Sequence, residues 1–539
     1  MRIDLKTINR KGKFLRVAVL LLAALSTSTG LLTLGQPQPA GSTQQELEQR
    51  SPFLSLGAAN LPETRQSTQV TPGVVRTVIV RGTPSDNEVY TVDVAFRATR
   101  EAAQTIAKTL QSQGYQPQIR TISVRASDDP ESGPLGYLVR VGAFAAEAEA
   151  IGLRDQLVAR GYTGLRVIFT GEDGRKTTGP WVINVLEVNP RKLKGKLAVA
   201  LGTEIIPGNE RLTGISARTQ SLAAINGGYF VIGPNDGTPG DLAGISIVKG
   251  ALLSEAVNGR TSLVLPSRSG KGARIAALTS RLTVTAADGT TREIDGLNRK
   301  PGLIRGCGGV GGDLPTEAPK HDFTCTDSSE LIQFTPAFGQ TTEPGSGIEV
   351  VLTASGQVVE LRQRGGQIPI GGSVLSGTGD AAEWLQTYAQ PGTTIDLKAR
   401  VLADGKRLPL RETLNVVNGG PRLLRDQAIE ITGFAEGFQQ PENPEFYYRF
   451  GVRRNPRTLA GVTASGNLLL ITVDGRRPGV SVGASFIESA RILQSLGAVD
   501  AVNLDGGGST SITIGQQLVN RTSDATGERP IADAIVIQP

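Results

Sequence analysis

Ala501-Val-Asn-Leu-Asp-Gly-Gly-Gly-Ser-Thr-Ser511 is a short apolar run that ends on a carboxylate and bends through three glycines into a row of hydroxyls. An apolar run of that length, closed by glycine, reads as a buried strand. Glycines open backbone angles closed to other residues, and the N–H groups of such a bend can converge on an anion with Asp505 beside them. The stretch is not a P-loop, because no Gly-Lys-Ser/Thr follows, and not a nucleophile elbow, because no Gly-x-Ser-x-Gly is present. Polar, conformationally special residues directly after a strand are where mixed α/β scaffolds place their sites.

Just upstream, Ala484 to Leu496 carries Phe486, Ile487, Ala490, Ile492, Leu493 and Leu496 at helical spacing, and Gly497 closes the segment. Further strands are expected at Trp181 to Val188, Leu222 to Ile225, Gly347 to Leu352 and Leu468 to Val473. Two other strand ends are polar. Leu222-Ala-Ala-Ile-Asn-Gly-Gly-Tyr-Phe230 offers Asn226 with Gly227 and Gly228; Asn455-Pro-Arg-Thr458 and Val473-Asp-Gly-Arg476 offer Arg457, Asp474 and Arg476. The region from 179 to 539 therefore reads as one large mixed-sheet domain.

Composition narrows the class. The chain has 539 residues, 39% of them hydrophobic and 20% charged, with 67 glycines; this is a soluble, loop-rich, β-containing protein rather than a disordered or polytopic membrane chain. His321 is the only histidine, so a His-bearing triad or a multi-His metal centre must include it or fail. It stands in Pro319-Lys-His-Asp-Phe323 and reads as a surface-loop residue. Of the formal charge of +6, +5 resides in the first 16 residues, which hold six basic side chains against Asp4. Nucleic-acid binding is not implied.

That basic start precedes Val17-Ala-Val-Leu-Leu-Leu-Ala-Ala-Leu25, the pattern of an export signal. With no clear cleavage site, residues 1–35 read as a signal peptide or an uncleaved membrane anchor, the only membrane contact expected. Residues 36–86 are rich in Gln, Pro, Ser and Thr and read as a flexible linker. Tyr90 to Tyr115 then repeats as Tyr137 to Tyr162 at an offset of 47, with Val92/Val139, Val94/Val141, Ala103/Ala150, Leu110/Leu157 and a closing Gly-Tyr in register. Each copy alternates, turns helical and ends at glycine, so 87–172 is a small α+β domain of two β-α-β units. Cys307 and Cys325, in an oxidising compartment, would pair as a disulfide that pins the loop between them.

Tyr137-Leu-Val-Arg-Val-Gly-Ala-Phe144 resembles the opening strand of the SPOR domain, which implies peptidoglycan as a partner; the first copy departs from that pattern at Val94-Ala-Phe-Arg97. Asn226-Gly-Gly-Tyr-Phe230, Asn418-Gly-Gly-Pro-Arg-Leu-Leu424, Asn455-Pro-Arg-Thr458, Val473-Asp-Gly-Arg476 and Asn503-Leu-Asp-Gly-Gly-Gly-Ser-Thr510 resemble, in order, the motifs of the phosphodiester glycosidase family. The resemblance implies a mixed α/β fold and an exported, N-acetylglucosamine-1-phosphodiester α-N-acetylglucosaminidase-like hydrolase acting on sugar-1-phosphodiester linkages of envelope or exopolysaccharide glycans.

The chemistry sets the roles. A phosphomonoester leaving group has a second pKa of about 6, so stabilising the departing phosphate matters more than a strong general acid. Arg457 and then Arg476 are assigned to the phosphate, with N–H groups from Gly506, Gly507, Gly508 and Ser509, beside Thr510. Asp505 is the carboxylate at the anomeric carbon, as nucleophile or base, with Asp474 and Glu488 as candidate partners. Asn226, in its Gly227-Gly228 turn, holds a sugar hydroxyl or the carboxylate. No cofactor and no metal site is expected. A non-catalytic glycan-binding or scaffolding protein and a phosphodiesterase attacking phosphorus are the competing readings.

Overall fold

Leu468–Val473 is apolar at five of its six positions, Thr472 being the exception, and in the computed structural model both of its faces are buried. Leu468 and Leu470 point into one core, and Leu469, Ile471 and Val473 into another. A strand covered on both sides reads as a continuous apolar run rather than an alternating one. The structure describes residues 53–257, 259–266, 272–308 and 319–539. The leader over 1–35 lies outside them, and no helix among the described residues is long and apolar enough to cross a membrane.

The strand is central to an eight-stranded antiparallel sheet. From one edge the order is Glu63–Thr71, Val74–Arg81, Trp181–Val188, Leu468–Val473, Arg457–Thr463, Ala498–Asn503, Arg422–Arg425 and Ala428–Ile429. A five-stranded sheet, including Ala223–Asn226 and Asp533–Gln538, packs on one face through Leu197, Ile225, Val502 and Ile535. The helix Phe486–Ser495 covers the other face. Ser485 caps that helix and Glu488 completes a capping box. The fold is mixed α/β with sheet dominant. A further lobe carries a five-stranded sheet and the helix Gly379–Tyr388.

The first two strands correct the flexible linker expected over 36–86. Glu63–Thr71 and Val74–Arg81 form a hairpin at the sheet edge, and the second pairs along its whole length with Trp181–Val188. The polar composition of the first reflects exposure on both faces from Thr64 to Gln69, and in the second the β-branched Val74, Val78, Ile79 and Val80 favour strand. Consequently the small domain at 87–172 does not hang from a tether ahead of the large one. It is inserted between two neighbouring strands of the large domain's sheet.

In the small domain the repeat folds as Tyr90–Arg97, Arg100–Ser112 and Pro117–Ile122, then Gly136–Phe144, Glu147–Ala159 and Arg166–Phe169. Its two helices cover one face of a four-stranded sheet through Ala103, Leu110, Ala150 and Leu157. Phe96, Ile122 and Leu138 instead join the large domain's core, beside Trp181, Tyr447, Tyr448 and Phe486. Each such burial stabilises by about 1.5–3 kcal/mol. Arg140 completes the junction, bonding Asp93 at 2.8 Å and Asp173 at 2.6 Å.

Candidate active site

Asp505 follows the strand Ala498–Asn503, and its loop is held from three directions. The Asn226 side chain donates from Nδ2 to the Asp505 carbonyl at 2.8 Å, while its Oδ1 accepts from Thr458 Oγ1 and the Ser511 N–H. The Asp505 N–H donates to the Gly227 carbonyl, and the Gly507 N–H to that of Pro456. Gly507 has φ +62, and a Cβ on Gly508 would lie 2.3 Å from both Arg529 Nη2 and Asp524 Oδ1. The triple glycine is thus required by conformation and by close approach.

The bend opens onto a cavity of about 710 Å³, a size typical of small-molecule sites. Asp505, Gly506, Gly507 and Gly508 line it together with Arg457 and Arg476. The Asp505 carboxyl is part-buried and accepts the Gly506 N–H at 2.9 Å. Burial pushes it up to about 7, against the pull of the Ser509 hydroxyl, Arg529 and the Gly506 N–H. Arg457 is fully buried, its guanidinium 4.5 Å from the Phe486 ring centroid, and it donates to the carbonyls of Ala484 and Phe450. Arg476 reaches Asn455 Oδ1 at 3.0 Å and lies against Gly507.

Other assigned residues stand elsewhere. Asp474 is no partner of Asp505: its two oxygens accept from Asn520 Nδ2 and the Arg521 N–H, pinning the C-terminal segment at a separate, smaller cavity. Glu488 is a capping-box carboxylate paired with Arg454 at 2.7 Å. Arg454 in turn donates to the carbonyls of Gly171 and Arg175, so Glu488 fastens the exit of the small domain. Asn226, Gly227 and Gly228 do not line the cavity. Asn226 has its polar atoms committed to the Asp505 loop, and the Gly227 and Gly228 N–H groups donate to Asp533. Ser509 and Thr510 lie buried behind the bend.

Among the lining residues that the sequence assignment does not include, three stand out. Arg260 is 3% exposed, sits 5.5 Å from the Phe438 ring centroid, and none of its three guanidinium nitrogens has a hydrogen-bond partner among the described residues. Burial lowers it to about 10, against the pull of Glu436 and Tyr229. A buried guanidinium whose nitrogens lack hydrogen bonds is costly, and its donors face the cavity. Tyr229 donates to the Gly420 carbonyl at 2.8 Å and accepts from Asn503 at 2.6 Å; its motif was visible, its place in the wall was not.

His321 is the third, and it corrects the surface-loop expectation. Its ring stacks on Phe438 at 4.2 Å and meets Tyr229 at 4.3 Å and Phe450 at 5.0 Å. Burial holds its pKa well below the usual histidine range, with Arg260 and Arg305 acting the same way. The imidazole is therefore neutral at working pH. The segment carrying it is closed by the Cys307–Cys325 disulfide. No cluster of three or more potential metal ligands occurs among the described residues.

Residues 346–538 match the family model described as phosphodiester glycosidase, and residues 86–168 match that of the SPOR domain. A solved Burkholderia pseudomallei structure, described as an exported protein, is 32% identical with a TM-score of 0.83 over 91% of this chain and 99% of that one. A hypothetical protein from Synechocystis is 19% identical with a TM-score of 0.52, covering 90% of this chain and 81% of its own, a likeness of fold. The SPbeta prophage-derived protein YomE of Bacillus subtilis is 34% identical over 84 residues, 16% of this chain and 13% of YomE's length.

Proposed function

Because this chain shares a family with that exported protein and joins a SPOR domain to a phosphodiester glycosidase domain, we propose that it is an exported hydrolase of sugar-1-phosphodiester linkages in envelope or exopolysaccharide glycans. The observation that carries this reading is the meeting, in one cavity, of the Asp505 carboxyl and the buried, unpartnered Arg260 guanidinium. Arg260 and Arg476 take the phosphate oxygens, and Arg457 holds the wall through Ala484 and Phe450 while adding positive potential. Charge that develops on the departing phosphate is thereby met by fixed cations in a site shielded by aromatic rings.

Asp505 acts at the anomeric carbon. In its ionised form it either attacks carbon directly or removes a proton from the attacking water, and a pKa of about 7 suits proton transfer near neutral pH. The sugar C–O bond breaks, its electron pair leaves with the phosphomonoester, and water supplies the new hydroxyl. Neutral His321, Tyr229 and Phe450 provide apolar and hydrogen-bonding surface for the sugar. SPOR domains bind peptidoglycan, which supports an envelope glycan as the target and a periplasmic or extracellular location. The test is release of free sugar from a panel of synthetic sugar-1-phosphodiesters by the purified chain and by Asp505→Asn; an inactive, folded wild type across the panel would refute the reading.

A further inference from the structure

The small domain's sheet cannot act as a free glycan-binding surface. Its helices cover one face, and Tyr448 stacks on Phe96 at 5.6 Å on the other, within the shared core. Two edges remain, Pro117–Ile122 and Arg166–Phe169, at opposite ends of the sheet. The Arg166–Phe169 edge, with Tyr90, Glu147 and Glu172, lines the same cavity as Asp505 and Arg260.

Facing it from the large domain are Arg449 and Arg453. The Arg166 side chain is exposed and makes no hydrogen bond or ion pair among the described residues. Arg449 has Glu445 at 3.9 Å and Arg453 has Glu172 at 3.8 Å; Arg453 Nε is buried without a hydrogen-bond partner among the described residues. Tyr90 and Phe169, 5.2 Å apart, give this end an aromatic platform. Around the whole cavity eight arginines stand against four carboxylates, whereas a single phosphodiester carries one negative charge.

We propose that the SPOR edge strand and the glycosidase domain form one extended substrate site, in which Arg166, Arg449 and Arg453 hold a second anionic group of the glycan. The substrate class is then a polyanionic glycan, with one charged group at Asp505 and Arg260 and another at the domain junction. This rests on the hydrolase reading. Guanidinium forks suit phosphate or carboxylate oxygens, and a wall made jointly by both domains explains why the small one is built into the sheet rather than tethered.

Titration calorimetry on the full chain, with inorganic tripolyphosphate and orthophosphate as probes, tests it. Wild type should bind tripolyphosphate more tightly than orthophosphate. Arg166→Gln should lose about tenfold in tripolyphosphate affinity, the equivalent of about 1.4 kcal/mol, and keep its orthophosphate affinity. Arg260→Gln should weaken both. Lys108→Gln, an exposed charge change on the small domain's first helix, should weaken neither. Unchanged tripolyphosphate binding in Arg166→Gln with an unaltered melting temperature would overturn the proposal, as would equal losses in Arg166→Gln and Lys108→Gln. Absent sugar release would refute the hydrolase while leaving the binding outcome readable.

Discussion

Asp474 and Asp505 sit at the ends of strands in one sheet, separated by a single strand, and each precedes a glycine. Burial raises both, to about 6 and about 7. Their partners differ. Asp474 has both oxygens tied to Asn520 and Arg521, whereas the Asp505 carboxyl accepts the Gly506 N–H and opens onto the arginine-lined cavity. A strand-end Asp-Gly therefore says little about chemistry; what the side chain is already bonded to decides whether it is free to act.

The sharpest way to break that contrast is substitution of each. Asp505→Asn should lower kcat by about 10²–10⁴-fold while the protein folds normally. Asp474→Asn should leave kcat nearly unchanged and lower the melting temperature, since a buried bonded pair is disturbed at about 1–3 kcal/mol. Kinetics and thermal melts on both variants check this, and the opposite pattern would exchange their roles.

Arg260 extends the contrast to cations. Arg422 is also buried, but its Nη1 has Asp500 at 3.5 Å, while none of the Arg260 guanidinium nitrogens has a hydrogen-bond partner among the described residues. Arg260→Met should lower kcat/KM by about 10–100-fold through loss of a charge-assisted contact, measured on a variant shown to fold by its melting curve. Retained activity with a lower melting temperature would make Arg260 structural.

The smaller effects are in pH. If the ionised Asp505 is the working form, kcat/KM rises with pH to a plateau, with a midpoint near 7. His321→Phe should keep that midpoint, because the imidazole is neutral throughout; a shifted midpoint would implicate the histidine. A carboxyl whose folded pKa is raised stabilises the protein below its unfolded value, about 4, and that contribution is lost as pH rises through the folded value. Melting temperature should thus fall between about pH 4 and 7 from this group, and less steeply in Asp505→Asn.

Local features were legible in the sequence. The 47-residue repeat, the capped helix before Gly497 and the doubly buried strand Leu468–Val473 announce themselves through a fixed offset or through spacing within one element. The hairpin at Glu63–Arg81 was hidden because an exposed edge strand has the composition of a linker. Arg260 starts a strand with no motif around it, and His321 is buried by Tyr229, Phe438 and Phe450, residues far from it along the chain. Such positions acquire meaning from long-range packing, which one sequence does not display. Asp505 was visible because its glycines are a local demand.

Hydrolysis of a sugar-1-phosphodiester in water enriched in oxygen-18 tests the central claim most directly, with the products separated by mass. Attack at the anomeric carbon beside Asp505 places the heavy oxygen in the released sugar. Heavy oxygen in the phosphomonoester instead would mean attack at phosphorus, and would contradict the role given to Asp505.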